Sequence, residues 1–224
     1  MRARYTWDDL LPLDETRLAT EYLIATWEKL SATSGRKFCY SMYEPKLTEK
    51  LHRGLADFLA GPSQLSGFWV SESQDVYFND AYEAVGRNKK DLIYLSNQGK
   101  HRLILVFEFK KLGSRATYRG RGGMARFVDG NYALGQPLAV MVGILCDNSM
   151  ADGIIESLRR SLLQKATQSG LSMVADVDGR RVRMPSVVLA GSANFDTEHR
   201  RPQGKGHPLT NTTTLAHAFL RCGA

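Results

Sequence analysis

DLIYLSNQGKHRLILVFEFKKL, residues 91–112, is the stretch on which the fold turns. Two β-rich runs, Leu92–Leu95 and Leu103–Phe109, flank Ser-Asn-Gln-Gly at 96–99, and this pattern predicts an antiparallel hairpin. Side chains alternate along a strand, so Glu108 and Lys110 share a face with Ile104 and Val106. Leu103, Leu105, Phe107 and Phe109 take the other face. A carboxylate and an ammonium therefore end a strand that is otherwise apolar on both sides, with Asp91 opposite them. Charges placed there are costly to bury unless they are paired or bind a metal. The competing reading is plain. Glu-x-Lys is a common tripeptide, a second copy stands at Glu44-Pro45-Lys46, and most such pairs are solvated and worth little.

Upstream, Asp14 is placed to cap a helix over 14–30 whose apolar positions include Leu18, Tyr22, Ala25 and Leu30. A second helix is predicted over 45–60, with Leu47, Leu51, Leu55, Phe58 and Leu59 as its stripe and Gly61-Pro62 as its stop. Glu44 continues that stripe toward the N-terminus and is either a helix cap or a site carboxylate, whereas Glu49 points away. Residues 67–70 and 75–78 form a strand or hairpin carrying Trp69 and Tyr77.

Downstream, residues 114–124 are rich in Gly and Arg and read as a loop. A helix over 124–135 follows, with Tyr132 and Gln136 four apart as a packing residue and a group that orients the site. Leu138 to Cys146 is a continuous apolar run, which predicts a buried, central strand. The remainder reads as a helix over 152–168, a strand over 187–190, a polar loop over 192–208 and a short closing helix over 210–220. With no internal repeat and no long linker, residues 1–224 form one mixed α/β domain.

Composition sets limits. The 224 residues are 43% hydrophobic and 24% charged, which is globular rather than disordered. No apolar run reaches the roughly 18 residues that would span a bilayer, so no membrane partner is expected. The first residues lack the apolar core of a signal peptide. Cys39, Cys146 and Cys222 are odd in number and far apart, which suggests neither a disulfide framework nor a metal knuckle. A reducing cytoplasm fits best. His199 and His207, with no cysteine nearby, argue against zinc. The formal charge is +7 and the pI near 9.4, a balance that attracts polyanions. Much of that charge follows the Glu-x-Lys strand, as Lys111, Arg115, Arg119, Arg121 and Arg126.

The order helix with Glu44, strand, strand from Asp91, strand ending Glu108-Phe109-Lys110, helix, buried strand resembles the PD-(D/E)xK nuclease superfamily, the restriction-endonuclease-like fold. The resemblance covers about residues 44–146, leaves a helical N-terminal extension and a C-terminal elaboration, and departs where Lys90 replaces the proline of many members. It implies a mixed central sheet flanked by helices and metal-dependent phosphodiester hydrolysis, on DNA in preference to RNA. Asp91, Glu108 and the Phe109 carbonyl would hold Mg²⁺ or Mn²⁺, hard cations that take oxygen ligands. Lys110 would orient the attacking water and Glu44 would support it. Arg115, Arg119, Arg121 and Lys111 would contact phosphates. The superfamily's typical use implies genome defence, with a homodimer or defence-system subunits as partners. The alternative is a nucleic-acid-binding subunit that keeps the fold and cleaves little or not at all.

Overall fold

The computed structural model describes residues 6–34, 37–59, 64–71, 74–78, 84–89, 91–97, 102–113 and 115–222. The chain begins with helices α1 (Trp7–Leu10), α2 (Leu13–Ser34), α3 (Lys37–Ser41) and α4 (Glu44–Leu59). Strands β1 (Phe68–Ser71), β2 (Gln74–Phe78), β3 (Ala84–Lys89), β4 (Leu92–Ser96) and β5 (Leu103–Lys111) come next. Helices α5 (Arg115–Arg119) and α6 (Met124–Val128) lead to β6 (Leu138–Leu145). The chain closes with α7 (Ala151–Leu162), α8 (Lys165–Gly170), β7 (Met173–Val174), β8 (Val182–Arg183), β9 (Phe195–Arg200) and β10 (Thr212–Arg221).

The fold is α/β, built on a mixed eight-stranded sheet in the order β1-β4-β5-β6-β10-β9-β7, with β8 also on β9. β1, β4 and β5 form an antiparallel meander, while β5, β6 and β10 are mutually parallel. β9 returns antiparallel to β10, and β2 and β3 make a separate two-stranded ribbon.

Alternation along the strands divides the core as the sequence predicts. Phe107, Phe109, Val140, Val142 and Ile144 face one layer with Ala216 and Ala218; Leu23 and Trp27 of α2 and Leu47, Leu51 and Leu55 of α4 cover them. Val106, Met141, Leu145 and Leu215 face the other layer, under Tyr118, Met124, Phe127, Leu158 and Leu162. β6 is buried at every position, which only a strand covered on both faces can be. Thr16 and Thr20 sit inside α2 without leaving a buried hydroxyl unsatisfied, because each donates to the carbonyl four residues back at 2.8 Å.

Several expectations are corrected. Residues 210–220 are the strand β10, not a helix, because they slot between parallel β6 and antiparallel β9 and are buried on both faces. Residues 195–200, expected in a loop, are β9. Residues 187–190 are a turn rather than a strand. Buried Asp196 on β9 holds that turn, accepting from Ser186 Oγ at 2.6 Å and from the Val187 and Val188 N–H groups at 2.7 and 3.2 Å. The 152–168 helix is broken at Leu163-Gln164 into α7 and α8. The stretch after residue 114 is no open loop: α5 turns tightly into α6, and a Cβ on Gly123 would stand 2.1 Å from the Tyr118 carbonyl oxygen. The 124–135 helix stops at Val128, since Gly130, Ala133 and Gly135 all take left-handed backbone angles. Tyr132 and Gln136 therefore share no helix face. The helix stop Gly61-Pro62, the Gln98-Gly99 turn and the side chains of Phe58, Leu59 and Tyr77 lie outside the described residues.

Cys39 and Cys222 are joined in a disulfide, with Cα atoms 6.1 Å apart, and Cys146 is the remaining free thiol. Residues distant in sequence meet here because α3 packs at the end of β10, where the Cys222 N–H bonds the Leu145 carbonyl at 3.1 Å. The cysteine count thus loses its force as an argument for a reducing compartment. Among the described residues no helix is long and apolar enough to cross a membrane.

A buried polar chain runs beneath the second layer. Tyr118 Oη lies 2.9 Å from His217 Nδ1, and His217 Nε2 lies 2.8 Å from Thr197 Oγ1. Thr197 Oγ1 is in turn 2.7 Å from His199 Nε2, and His199 Nδ1 is 2.7 Å from the Leu171 carbonyl. A carbonyl only accepts, so His199 Nδ1 carries its proton, and the rest follows. Thr197 donates to His199 Nε2, His217 Nε2 donates to Thr197, and Tyr118, which also lies 3.3 Å from the Met141 carbonyl, gives its one proton to the nearer His217 Nδ1. One self-consistent set of neutral tautomers satisfies the whole chain.

Candidate active site

β5 outruns β4. Their register pairs Leu92 with Phe107, so the last residues of β5 extend past the end of β4 and leave edge N–H groups without a strand partner. Two carboxylates fill that gap. Asp91 Oδ2 accepts from the Phe109 N–H at 3.0 Å, and Glu44 Oε2, at the start of α4, accepts from the Lys111 N–H at 2.9 Å. Each acid thus has a structural task besides any chemical one, and the Glu44 carboxylate closes the edge of β5 through Lys110 and Lys111 where the sequence suggested a helix cap.

Between them, Lys110 turns its ammonium into a ring of oxygens. Nζ is 2.7 Å from Glu44 Oε1, 2.9 Å from Glu108 Oε1 and 2.6 Å from the Phe109 carbonyl. Glu108 is fully buried, and Arg126 Nη1 approaches its Oε1 at 3.4 Å. The Arg126 guanidinium lies 4.2 Å from the centre of the Tyr132 ring, a cation–π contact. Glu108 Oε2 and the Tyr132 hydroxyl are both buried and make no hydrogen bond of normal geometry, but the phenol lies close enough to the Glu108 carboxylate to interact with it. A buried phenol facing a buried carboxylate is a natural donor for it, and the Glu108 oxygen keeps a further lone pair beyond that contact.

The electrostatics match this crowding. Burial, reinforced by the Asp91 carboxylate and opposed by Lys110 and Arg126, pushes Glu108 up to about 7. Burial also raises Asp91, with Glu44 adding to the shift and the Phe109 N–H and Lys110 opposing it. Desolvation alone would lower the Lys110 ammonium, yet Glu108 and Glu44 together hold it above the ordinary lysine value. The Tyr132 phenol is raised by burial and then by Glu108 beside it.

The four expected residues Asp91, Glu108, Lys110 and Glu44 therefore come together at the end of β5. Phe109 contributes a carbonyl that already accepts from Lys110. Lys111 is engaged elsewhere, its Nζ donating to the Met42 carbonyl at 3.0 Å. Arg115 and Arg119 sit on α5, and Arg121 is exposed in the turn after it. Gln136 lies in a turn, its N–H bonding the Ala133 carbonyl at 3.0 Å. Among the described residues no group of three or more His, Cys, Asp or Glu side chains is arranged to hold a metal ion. The available donor set is smaller: Asp91, Glu108 through the oxygen outside its ion pairs, and one main-chain carbonyl. Hard oxygen donors of this kind suit Mg²⁺ or Mn²⁺, ions that keep several waters of their own.

One contributor has no signature in the sequence. Arg201, 2% exposed, donates to the carbonyls of Phe127 at 2.7 Å, Ala133 at 2.6 Å and Tyr132 at 2.8 Å. It clamps the irregular segment that delivers Tyr132 to Glu108. Burial lowers its guanidinium to about 10, so it stays cationic at neutral pH. Arg201→Ala would strand these carbonyls without a donor, and a loss on the order of 3 kcal/mol is expected in urea unfolding. A loss within experimental error would show that water replaces the guanidinium there.

No protein-family model, no curated protein and no solved structure matches this chain.

Proposed function

We propose that this chain is a metal-dependent nuclease that hydrolyses phosphodiester bonds of nucleic acid, DNA in preference to RNA. The observation that carries the reading is the buried Glu108, paired with Lys110 and Arg126 through Oε1 and with Oε2 in no ion pair among the described residues, at the strand end where Asp91 also sits. The chain order supports it. Helix α4, the meander β1-β4-β5, the helices α5 and α6 and the strand β6 parallel to β5 follow the order of the restriction-endonuclease-like core. Phosphoryl chemistry of this class needs positioning and charge stabilisation more than covalent participation.

A divalent cation held by Asp91, Glu108 and the Phe109 carbonyl would neutralise phosphate oxygens and acidify a nearby water. The remaining work falls to the chain's own groups. Lys110 Nζ, fixed by Glu44, would turn the N–H now on the Phe109 carbonyl to the attacking water or to the phosphate oxygen on which charge develops, once that carbonyl is taken by the cation. Arg126, on the other side of Glu108, would hold that carboxylate ionised when substrate expels water. Glu44 would keep Lys110 charged and correctly aimed.

A second reading has its own support. Lys110 already closes on Glu44, Glu108 and the Phe109 carbonyl, an arrangement that neutralises the acids without any ion. That suits a nucleic-acid-binding subunit with little or no catalysis. Labelled single-stranded DNA, duplex DNA and RNA, each incubated with Mg²⁺, Mn²⁺ or EDTA, separate the two. Cleavage with a cation, lost in EDTA and in Glu108→Gln, is the expected result. Binding without cleavage under every condition would establish the second reading.

A further inference from the structure

A groove of about 640 Å³ opens between α5 and α7, on the sheet face that carries Glu108. Its floor is apolar, Leu112 and Ile154, with the exposed Met150 at the rim. Two arginines line one wall. Arg115 Nη1 donates to Ser157 Oγ at 2.8 Å, and Arg119 Nη1 donates to Thr167 Oγ1 at 2.6 Å. Both guanidiniums are thereby oriented, and neither pairs with an acid among the described residues. Other arginines nearby do: Arg159 and Arg160 share Glu156, and Arg126 meets Glu108. Two aimed, uncompensated guanidiniums beside an apolar floor form a site for an anion attached to a flat, hydrophobic body. Each keeps free donors for phosphate oxygens, which arginine recognises in a fork.

The groove begins just past the end of β5, the strand that carries Glu108 and Lys110. Leu112 follows Lys110 by two residues, and its N–H bonds the Ile144 carbonyl at 2.9 Å, which extends the β5–β6 ladder into the floor. Its volume falls in the range of about 300–1,000 Å³ typical of small-ligand sites. A recess of that size between two helices admits an unpaired nucleotide and excludes a base still paired within a duplex.

We propose that the α5–α7 groove is a nucleotide subsite that holds an unpaired, phosphate-linked nucleotide of a single strand, flanking the bond presented to Lys110. This rests on the nucleic-acid reading above and adds strandedness to it. The phosphate lies on Arg115 and Arg119, and the base lies over Met150 and Ile154. Recognition through exposed faces and phosphate oxygens is how unpaired strands are held.

The test is fluorescence anisotropy with a labelled single-stranded oligodeoxynucleotide and a duplex hairpin of equal length, in EDTA over a salt series. Ser157→Trp fills the groove without changing charge and should weaken single-strand binding about tenfold, the order expected from losing ~60 Å² of apolar contact with Leu112 and Ile154. Met150→Glu, at an exposed rim position, is a second variant that should fold and weaken binding in the same direction. Arg115→Ala with Arg119→Ala should flatten the salt dependence by about 1.4, or two phosphates at ~0.7 each. Arg180→Ala with Arg181→Ala, far along the chain in a turn, should leave the slope closer to wild type. Wild-type affinity in both Ser157→Trp and Met150→Glu would overturn the subsite, as would equal slope losses in the two arginine pairs. Cleavage, measured separately with Mg²⁺, keeps the two ideas apart. Lost binding in the groove variants with no cleavage under any cation supports the subsite and sinks only the nuclease reading. Normal cleavage with unaffected binding sinks only the subsite.

Discussion

Lys110→Ala is expected to lower cleavage by a factor of about 100 to 1,000, the usual cost of removing one donor aimed at developing charge. The same variant should retain its affinity for DNA in EDTA, because binding draws on many phosphate contacts and Lys110 is at most one of them. It should also unfold more easily. Lys110 Nζ is the close cationic partner of Glu44 Oε1 and lies 2.9 Å from buried Glu108, so its loss leaves both acids poorly compensated. Glu108, already pushed up to about 7, would then take up a proton at still higher pH. Cleavage at the wild-type rate, with contaminating nuclease excluded, would remove Lys110 from the mechanism. A binding loss as large as the cleavage loss would make it a substrate ligand instead.

Acid should destabilise the fold through its two buried histidines, with the effect plainest in Glu108→Gln. Burial lowers His199 to about 4 and His217 well below its ordinary value, whereas both titrate near 6.5 once unfolded. Between those values the unfolded chain binds more protons than the folded one. The stability is therefore complete above about pH 6.5 and declines as pH falls, by about 1.4 kcal/mol per pH unit for each histidine. Glu108 has the opposite sign. Its folded value of about 7 exceeds the 4.5 of an ordinary glutamate, so the folded state takes up a proton first and gains stability on acidification. Asp91 and Asp196, also raised, act in the same direction from a lower starting value. In EDTA, Glu108 should offset roughly one histidine, leaving the wild type to lose roughly 3 kcal/mol between pH 6.5 and 4.5. Glu108→Gln should lose roughly 5 kcal/mol over the same range. Urea titrations at several pH values measure both slopes, and parallel slopes would show that Glu108 does not hold its proton as inferred.

Helix α4, the β4–β5 hairpin and β6 were legible because they are periodic and buried in the ordinary way, whereas α3 and β3 were missed and the segments at 67–70 and 75–78 pair with β4 and β3 and not with each other. Leu47, Leu51 and Leu55 repeat every four residues and all face the sheet. Glu108 and Lys110 fall where period-two alternation puts them, and Asp91 and Glu44 meet them because strand register and helix start leave little choice. The strands after β6 were not legible, for a physical reason. β9 reads Phe-Asp-Thr-Glu-His-Arg, as polar as a loop, yet Asp196, Thr197 and His199 are buried because Ser186, His217 and Leu171 supply their hydrogen bonds. Hydropathy measures what a side chain would lose on leaving water and carries no record of partners found elsewhere in the chain. β10 failed differently: Thr, Ala and His are buried on both of its faces, so neither a helical stripe nor an alternation stands out. Arg126 and Tyr132 reach Glu108 only because Arg201, on the far side of β6 in sequence, fastens the segment between them.

The bond between Cys39 and Cys222 spans 183 positions, so all the strands of both sheets belong to one covalent macrocycle. In such a ring the backbone is not the sole path between any two residues. A single peptide cut in the exposed turn at Asp178-Gly179 would leave two polypeptides joined through Cys39 and Cys222, of unchanged total mass apart from one added water, and would not release a fragment. Scission and dissociation become separate events, and the second requires a reductant. The outer ends of the main sheet, β1 and β7, are thus closer along the covalent graph than along the sequence, and an unfolded molecule cannot extend to its full contour length while the sulfurs remain joined.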